Sequence, residues 1–528
     1  MGNRRTGPTV LHYDRNSMRT TFIAWLAGWA LAFPAGAAVF DVRAYGAKGD
    51  GRALDTAAIQ RAIDAAGAAG GGRVEFPAGT YLSGSIHLAS HLTLYFDSGA
   101  TLVATGQASA YEPAEPNQWS RFQDFGHSHF HNSLIWGEGL EDVSILGPGV
   151  IWGKGLTREA NPGVGNKAIA LKLCRNVIVR DISILMAGHF GILATGVDNL
   201  TIDNVKIDTN RDGIDIDSCR HVRIANASVN SPWDDAIVLK ATYALGFFRD
   251  TENVTIANCE VSGYDRGTFL SGRYERNDPD APDHGGVTGR IKLGTESSGG
   301  FKNIAISNCV FERSRGLALE SEDGGVLEDV VATNLTMRDI VSSPIFIRLG
   351  SRMRSPEGTP VGQLRRVTIS NVTVSGADAR YAAIVSGIPG HPVEDVRLSN
   401  IRITYRGGGT LEQAGLEPPE KESAYPDPNM FGVTPSYGFY LRHVKGIAMD
   451  GVRVETAKED ARPAFWLFDV AGADLRDVTG SRAAGAGIFA LREVTDFWFH
   501  ASPGLDDIRL DKVVEKTVLP AALPGLSR

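Results

Sequence analysis

Asn176 to Ile184 reads NVIVRDISI, and three further stretches answer it: NLTIDNVKI from Asn199, HVRIANASV from His221 and NVTIANCEV from Asn253. A fifth copy, NIAISNCVF, runs from Asn303 to Phe311, and looser ones begin at Leu327, Val367 and Val393. In each, apolar residues alternate with polar ones, the period of a strand buried on one side. The first copies recur after 23 and then 22 residues. No helical crossover of a βαβ unit fits so short a step. A chain that returns to one register every 22 or 23 residues through strands alone is a β-solenoid. Its coils should stack about 4.8 Å apart, the spacing of neighbouring strands. An antiparallel sandwich or a propeller is the alternative, but propeller blades take about 40 residues each. The recurring Asn is expected to form an inward ladder, its amides bonding up and down the column.

Working outward, residues 40–66 read as a strand, a Gly-Asp-Gly turn and one amphipathic helix. Asp55 or Thr56 is placed to cap that helix, and Ala58, Ile59, Ala62 and Ile63 fall on one face. The helix should cover the open first coil, as solenoid ends require. Insertions are expected at about 106–132, 273–288 and 405–436, the last a loop packed along the solenoid wall. The domain layout is then an N-terminal extension and signal peptide (1–37), one all-β parallel helix (38–515) and a C-terminal tail (516–528).

The leader follows from Arg19, the apolar run Phe22 to Phe33 and the small residues Ala35-Gly36-Ala37. It predicts a periplasmic or secreted protein cleaved near Ala37, an uncleaved anchor being disfavoured because the run is short for a membrane span. Four cysteines are few for an exported chain of 528 residues. Cys174 and Cys219 share one repeat context and Cys259 and Cys309 another, which predicts buried free thiols, with a Cys259–Cys309 bridge left open. A net charge of −8 argues against a nucleic-acid partner. A capped solenoid needs no second copy, so a monomer is expected.

Three carboxylates stand at the repeat spacing. Asp212 lies in NRDGIDID, and Asp234-Asp235 follow 22 and 23 residues later in SPWDDAIVLK. They should therefore sit on neighbouring coils. Inverting glycoside hydrolysis needs an acid and a base, ordinarily about 6.5–9.5 Å apart with a water between. Close carboxylates also push their pKa values apart, leaving one protonated as the acid. A calcium site or plain turn-forming aspartates would use the same residues.

Asn210-Arg211-Asp212 and Asp234-Asp235 resemble the N-T-D and D-D motifs of glycoside hydrolase family 28, the polygalacturonases and rhamnogalacturonases on the pectin lyase-like β-helix. The phrases GAKGDG at 46–51, ENVTIANC at 252–259, GTESSGG at 294–300 and YPDPNMFG at 425–432 are also similar to bacterial members. The resemblance covers roughly residues 40–500 and identifies the chain as a divergent member. It implies a right-handed β-helix and single-displacement hydrolysis of a pectic polysaccharide, with no metal and no cofactor. By that likeness Asp234 is the general acid, while Asp212 and Asp235 hold and deprotonate the water.

The departures are specific. Arg replaces Thr at 211, and the family's G-H-G histidine falls at Thr288 or Gly289. Arg290-Ile291-Lys292 looks like the family's R-I-K motif but comes one coil early. In the expected register Ala318 and Glu320 stand where that Arg and Lys belong. Arg290 and Lys292 remain candidates for a substrate carboxylate, displaced by one coil, or Lys292 simply pairs with Glu320. His189, Asn210 and Lys240 are further substrate-binding candidates. Trp233 either stacks on a sugar or packs, and His284 is placed to replace the missing histidine. His127, His129 and His131 alternate as metal ligands can, but lack a carboxylate or Cys partner at ligand spacing. The leading function is a secreted pectic glycoside hydrolase. The alternatives are a polysaccharide lyase or a non-catalytic carbohydrate-binding β-helix.

Overall fold

The computed structural model describes Gly2 and residues 38–157, 165–277 and 286–519. From Val39 onward the chain winds as a parallel β-helix, its strands bonded coil to coil in three stacks. One stack contains Lys167–Lys172, Phe190–Thr195, Asp212–Asp217, Ile237–Ala241 and Ile291–Ser297. A second contains Arg175–Arg180, Asp198–Asp203, Arg220–Ala225 and Thr251–Ala257, the repeats read from the sequence. A third contains the short strands Ser183–Leu185, Lys206–Asp208, Ser228–Asn230 and Glu260–Ser262. Alternate residues such as Val177, Leu200, Val222 and Val254 point into the lumen and form one continuous apolar core.

Both ends are closed. The helix Thr56–Ala68 buries Ala58, Ile59, Ala62, Ile63 and Ala66 against the first coil. Each buried Ile contributes about 2–3 kcal/mol by leaving water. Asp55 occupies the N-cap without a side-chain cap bond. Its carboxylate instead accepts from the Lys48 and Gly49 amides at 2.7 and 3.0 Å, tying the Gly-Asp-Gly turn to the helix. At the far end, Ile508–Val513 and Thr517–Leu519 pair antiparallel with Phe489–His500, so the expected tail begins with a pairing strand.

The asparagine ladder exists but faces outward, correcting the sequence reading. Asn199 donates to Asn176 at 2.9 Å and Asn176 to Asp142 at 2.8 Å. A second column links Asn258, Asn308, Asn334, Asn371 and Asn400 by bonds of 2.8–3.1 Å. These residues sit at the corners between stacks with φ near +55°, where the chain bends and the side chain meets solvent. Asn is among the few side chains that tolerate that left-handed conformation, which is why it recurs there.

All four cysteines are buried free thiols. No helix among the described residues is long and apolar enough to cross a membrane. The leader segment and His284 lie outside the described residues.

Candidate active site

The outer side of the first stack carries a column of register-matched residues: Ala170, Leu193, Asp215, Val238, Lys292, Ala318, Phe346 and Ile384. Phe130, from the 106–132 insertion, covers Ala170 and Leu193. Met430 and Phe431, from the 405–436 insertion, cover Ala318, Phe346 and Ile384. Between the two covers the column turns polar at Asp215 and Lys292, and the candidate carboxylates collect beside it.

The chain stacks them as the repeat implies. Asp212 opens its strand, and the Gly213 amide donates to the Asp235 carbonyl at 3.0 Å on the next coil. A Cβ at Gly213 would meet the Ala236 carbonyl oxygen at 2.5 Å, so only glycine lets the coils approach here. The Asp235 amide donates to Asp212 Oδ1 at 3.2 Å and to Asp234 Oδ1 at 3.0 Å. One oxygen from each of Asp212, Asp234 and Asp235 lies within 4.8 Å of those of the other two. This is closer than the gap expected for inversion, because coil stacking sets it. Two oxygens that far apart can still share one water, at about 2.7 Å to each.

The three acids differ in their surroundings. Asp235, 1% exposed, accepts from Arg290 Nε at 2.6 Å and lies 3.5 Å from Lys292 Nζ. Burial alone would raise its pKa, but these two cations hold it below the usual carboxylate value. Asp234 accepts from Arg211 Nε at 2.9 Å. Asp212 is 3% exposed, and no salt bridge reaches it among the described residues. Burial, then the charge of Asp234, pushes its pKa well above the normal range. The cations are thus unevenly shared: Arg211 contacts Asp234, and Arg290 and Lys292 both contact Asp235.

Arg290 and Lys292 meet protein, not an open groove. Lys292 Nζ lies 3.4 Å from Glu320 and donates to the Tyr425 hydroxyl at 3.2 Å. The strand Ile291–Ser297 pairs with Leu317–Ser321 and sets Lys292 opposite Ala318, two residues short of Glu320, where the expected register had placed the family's Lys. Thr288, a candidate for the missing histidine's position, is fully buried. Lys240 is buried and donates to Glu296 at 2.8 Å. His189 is buried, stacks on Phe190 at 4.2 Å and lies on the coil before Asp212. Asn210 is buried directly before the Asp212 strand, its Oδ1 accepting from Thr209 at 3.2 Å. Trp233 has the Arg266 guanidinium 3.6 Å over its ring. His127 approaches Asp215 at 3.7 Å and His129 bonds Asn132 and Lys167, whereas His131 pairs with Glu138 at 3.0 Å. The three histidines therefore serve separate contacts.

Several residues escape sequence reading. Asp215 is buried with neither carboxylate oxygen hydrogen-bonded, and burial raises its pKa strongly. Its signal is an acid at an outward strand position, which only the register reveals. Tyr425, 41% exposed, arrives from the 405–436 insertion with its hydroxyl on Lys292. Arg266 comes from the 264–277 segment, and nothing in its local sequence points to Trp233.

A family profile described as rhamnogalacturonase A/epimerase, pectate lyase-like, matches residues 39–121, and one described as right handed beta helix region matches 168–353. A probable polygalacturonase of Vitis vinifera is 26% identical over 391 residues, 68% of this chain and 73% of that protein. The solved family 28 exopolygalacturonase of Yersinia enterocolitica superposes with a TM-score of 0.60 at 19% identity, covering 87% of this chain and 78% of that one. The Streptococcus pneumoniae surface adhesin PfbA does so with a TM-score of 0.51 at 18% identity, covering 91% and 99%. At such identity the solved structures speak for the fold alone.

Proposed function

We propose, from the likeness to polygalacturonases at 26%, 24% and 23% identity, that this chain is a divergent family 28 member and an exported glycoside hydrolase of pectic polysaccharide. Galacturonan and rhamnogalacturonan backbones are the substrate classes. The carrying observation is the trio Asp212, Asp234 and Asp235, drawn together from two coils with one member held ionised by Arg290 and Lys292.

In this reading two carboxylates share an attacking water and the third protonates the leaving oxygen. The water's oxygen bonds to the anomeric carbon as the glycosidic bond breaks, so configuration inverts in one step. No resident metal or cofactor takes part, and one copy of the chain suffices.

The test is reducing-end release from polygalacturonate and rhamnogalacturonan by wild type and by Asp235→Asn, with the anomer of the first product read by NMR. Release that collapses in the variant, with inverted product, is expected. Retained configuration overturns the single step. An unsaturated, ultraviolet-absorbing product assigns a lyase instead. A second reading, a sugar-binding β-helix without turnover, draws on the fold shared with the adhesin. It predicts oligosaccharide binding with no release from either polymer.

A further inference from the structure

We propose that a groove on the second stack, several coils beyond the carboxylate trio, binds a neutral oligosaccharide with Trp498 as its stacking platform. The corner column that elsewhere carries side chains loses them here over two coils. Register runs it through Asp329, Arg366, Asp395, Gly446, Gly472 and Asp496, with φ between 49° and 77°. Asp395 and Asp496 take that backbone with a side chain attached, so the bend alone does not demand glycine. A Cβ at Gly446 or Gly472 would come no closer than 3.8 Å to a neighbour, so packing does not demand it either. The two glycines instead open a groove of about 380 Å³ between Asp395 and Asp496. Those ends stand three coil steps apart, about 14 Å at the strand spacing. Ala448 and Ala473 keep the floor low.

Trp498, at 41%, is the one exposed tryptophan among the described residues. His500 stacks on it at 3.8 Å and 12° and does not line the groove, which leaves the other side of the indole to face it. Asp474 bonds His500 at 2.8 Å and so steadies the stack. A platform held in one orientation suits the flat apolar side of a sugar ring, whose hydroxyls then need polar partners at the rim.

The rim supplies them. Asp395, Asp474, Asp496 and Asp511 can accept from hydroxyls, while Arg397 and Arg509 can donate to them. No hydrogen bond or ion pair among the described residues holds the Asp496 or Asp511 side chain. Four carboxylates against two guanidiniums repel a polyuronate, whose own carboxylates would meet them. The groove's chemistry therefore selects an uncharged glycan.

Isothermal titration of the full chain with cellotetraose and with a neutral galactotetraose tests this. Wild type should bind at least one of them, with excess tetragalacturonate failing to displace it. Trp498→Ala should weaken that binding about tenfold, as loss of a stacking contact does. Gly472→Asn restores the residue type used at other corners, and should fill the groove with a similar loss. Both variants should keep the wild-type denaturant midpoint and the wild-type rate on polygalacturonate, whatever that rate is. No binding of either neutral tetraose, or wild-type affinity in either variant, overturns the proposal. Displacement by tetragalacturonate overturns the neutral class. A dimer in light scattering that Trp498→Ala dissolves would make a second copy the occupant, and overturns it too. Binding is read without turnover, so failure of the hydrolase reading leaves this outcome intact.

Discussion

Arg290 Nε lies 2.6 Å from Asp235 Oδ1, with both side chains almost wholly inside the protein. The pair reaches across one coil boundary, and the Arg290 carbonyl accepts from the Ala236 amide at 3.0 Å in the same place. The guanidinium is thus fixed by backbone register as well as by charge. A motif that resembles a substrate clamp in sequence works here as the counter-ion of a catalytic candidate.

Arg290→Gln should therefore act on fold and chemistry together. Removing one partner of a buried ion pair typically costs about 3–5 kcal/mol, because the other charge stays buried. Lys292 at 3.5 Å compensates in part, so the lower end is expected in chemical denaturation. Asp235 should then titrate at higher pH, moving the acidic limb of the rate profile upward. A loss under 1 kcal/mol with an unmoved profile would contradict the pairing.

Stability should peak at intermediate pH. Asp235 and Glu296 have folded pKa values below their usual 3.8 and 4.5. Such groups contribute stability that is present above the unfolded value and lost as pH falls through the folded one. Asp212, Asp215 and Glu322 are raised by burial, so their contribution is full below the unfolded value and lost as pH rises through the folded one. Denaturant midpoints measured from pH 3 to pH 9 should fall at both ends. A flat profile would show that these groups titrate alike folded and unfolded.

Much of this was legible because a solenoid turns sequence offset into spatial neighbourhood. A step of 22 or 23 residues places Asp234 and Asp235 on the coil beside Asp212. Direction was harder, since alternation gives two faces but corners obey φ instead, and the asparagines were read inward for that reason. Contacts made by insertions were not legible at all. Tyr425 reaches Lys292 across 133 positions, and no periodicity connects them. Nor does residue type reveal that the Arg at 211 bonds Asp234 rather than solvent.

The thiols give a simple check. Cys259 and Cys309 stack on successive coils yet remain unlinked. Thiol titration should find no reactive group in the native protein and four after unfolding in denaturant without reductant. Two instead of four would establish the bridge that the repeat spacing left open.

The ladder should carry measurable stability despite its exposure. Asn308 donates to Asn258 and accepts from Asn334 at 3.1 and 3.0 Å, with φ of 55°. Asn308→Ala loses both bonds and places a Cβ residue with no local polar group in the left-handed region. The sum should be about 1–3 kcal/mol. Asn308→Gly keeps the backbone permissive and should lose less. Equal losses in denaturant melts would assign the ladder's value wholly to hydrogen bonding.

The covering loop is held by a chain of charges that runs out from the site. Lys240 donates to Glu296 at 2.8 Å, Arg354 lies 3.5 Å from Glu296, and Arg354 donates to Asp124 at 2.8 Å. Asp124 directly precedes the turn Phe125–Ser128, whose Gly126 would crowd the His189 ring if it bore a Cβ. The inner and outer links should differ sharply. Lys240→Met strands Glu296 in the interior and should cost about 3–5 kcal/mol. Arg354→Ala breaks a half-exposed link, worth about 0–1 kcal/mol to the fold. It should nonetheless raise the cleavage rate at 119–130 under limited proteolysis, because the loop loses its outermost tether while the core keeps its own. Adding Glu296→Gln to Lys240→Met removes the stranded charge and should recover part of the loss. Strict additivity of the two would mean that Lys240 and Glu296 do not act as a pair.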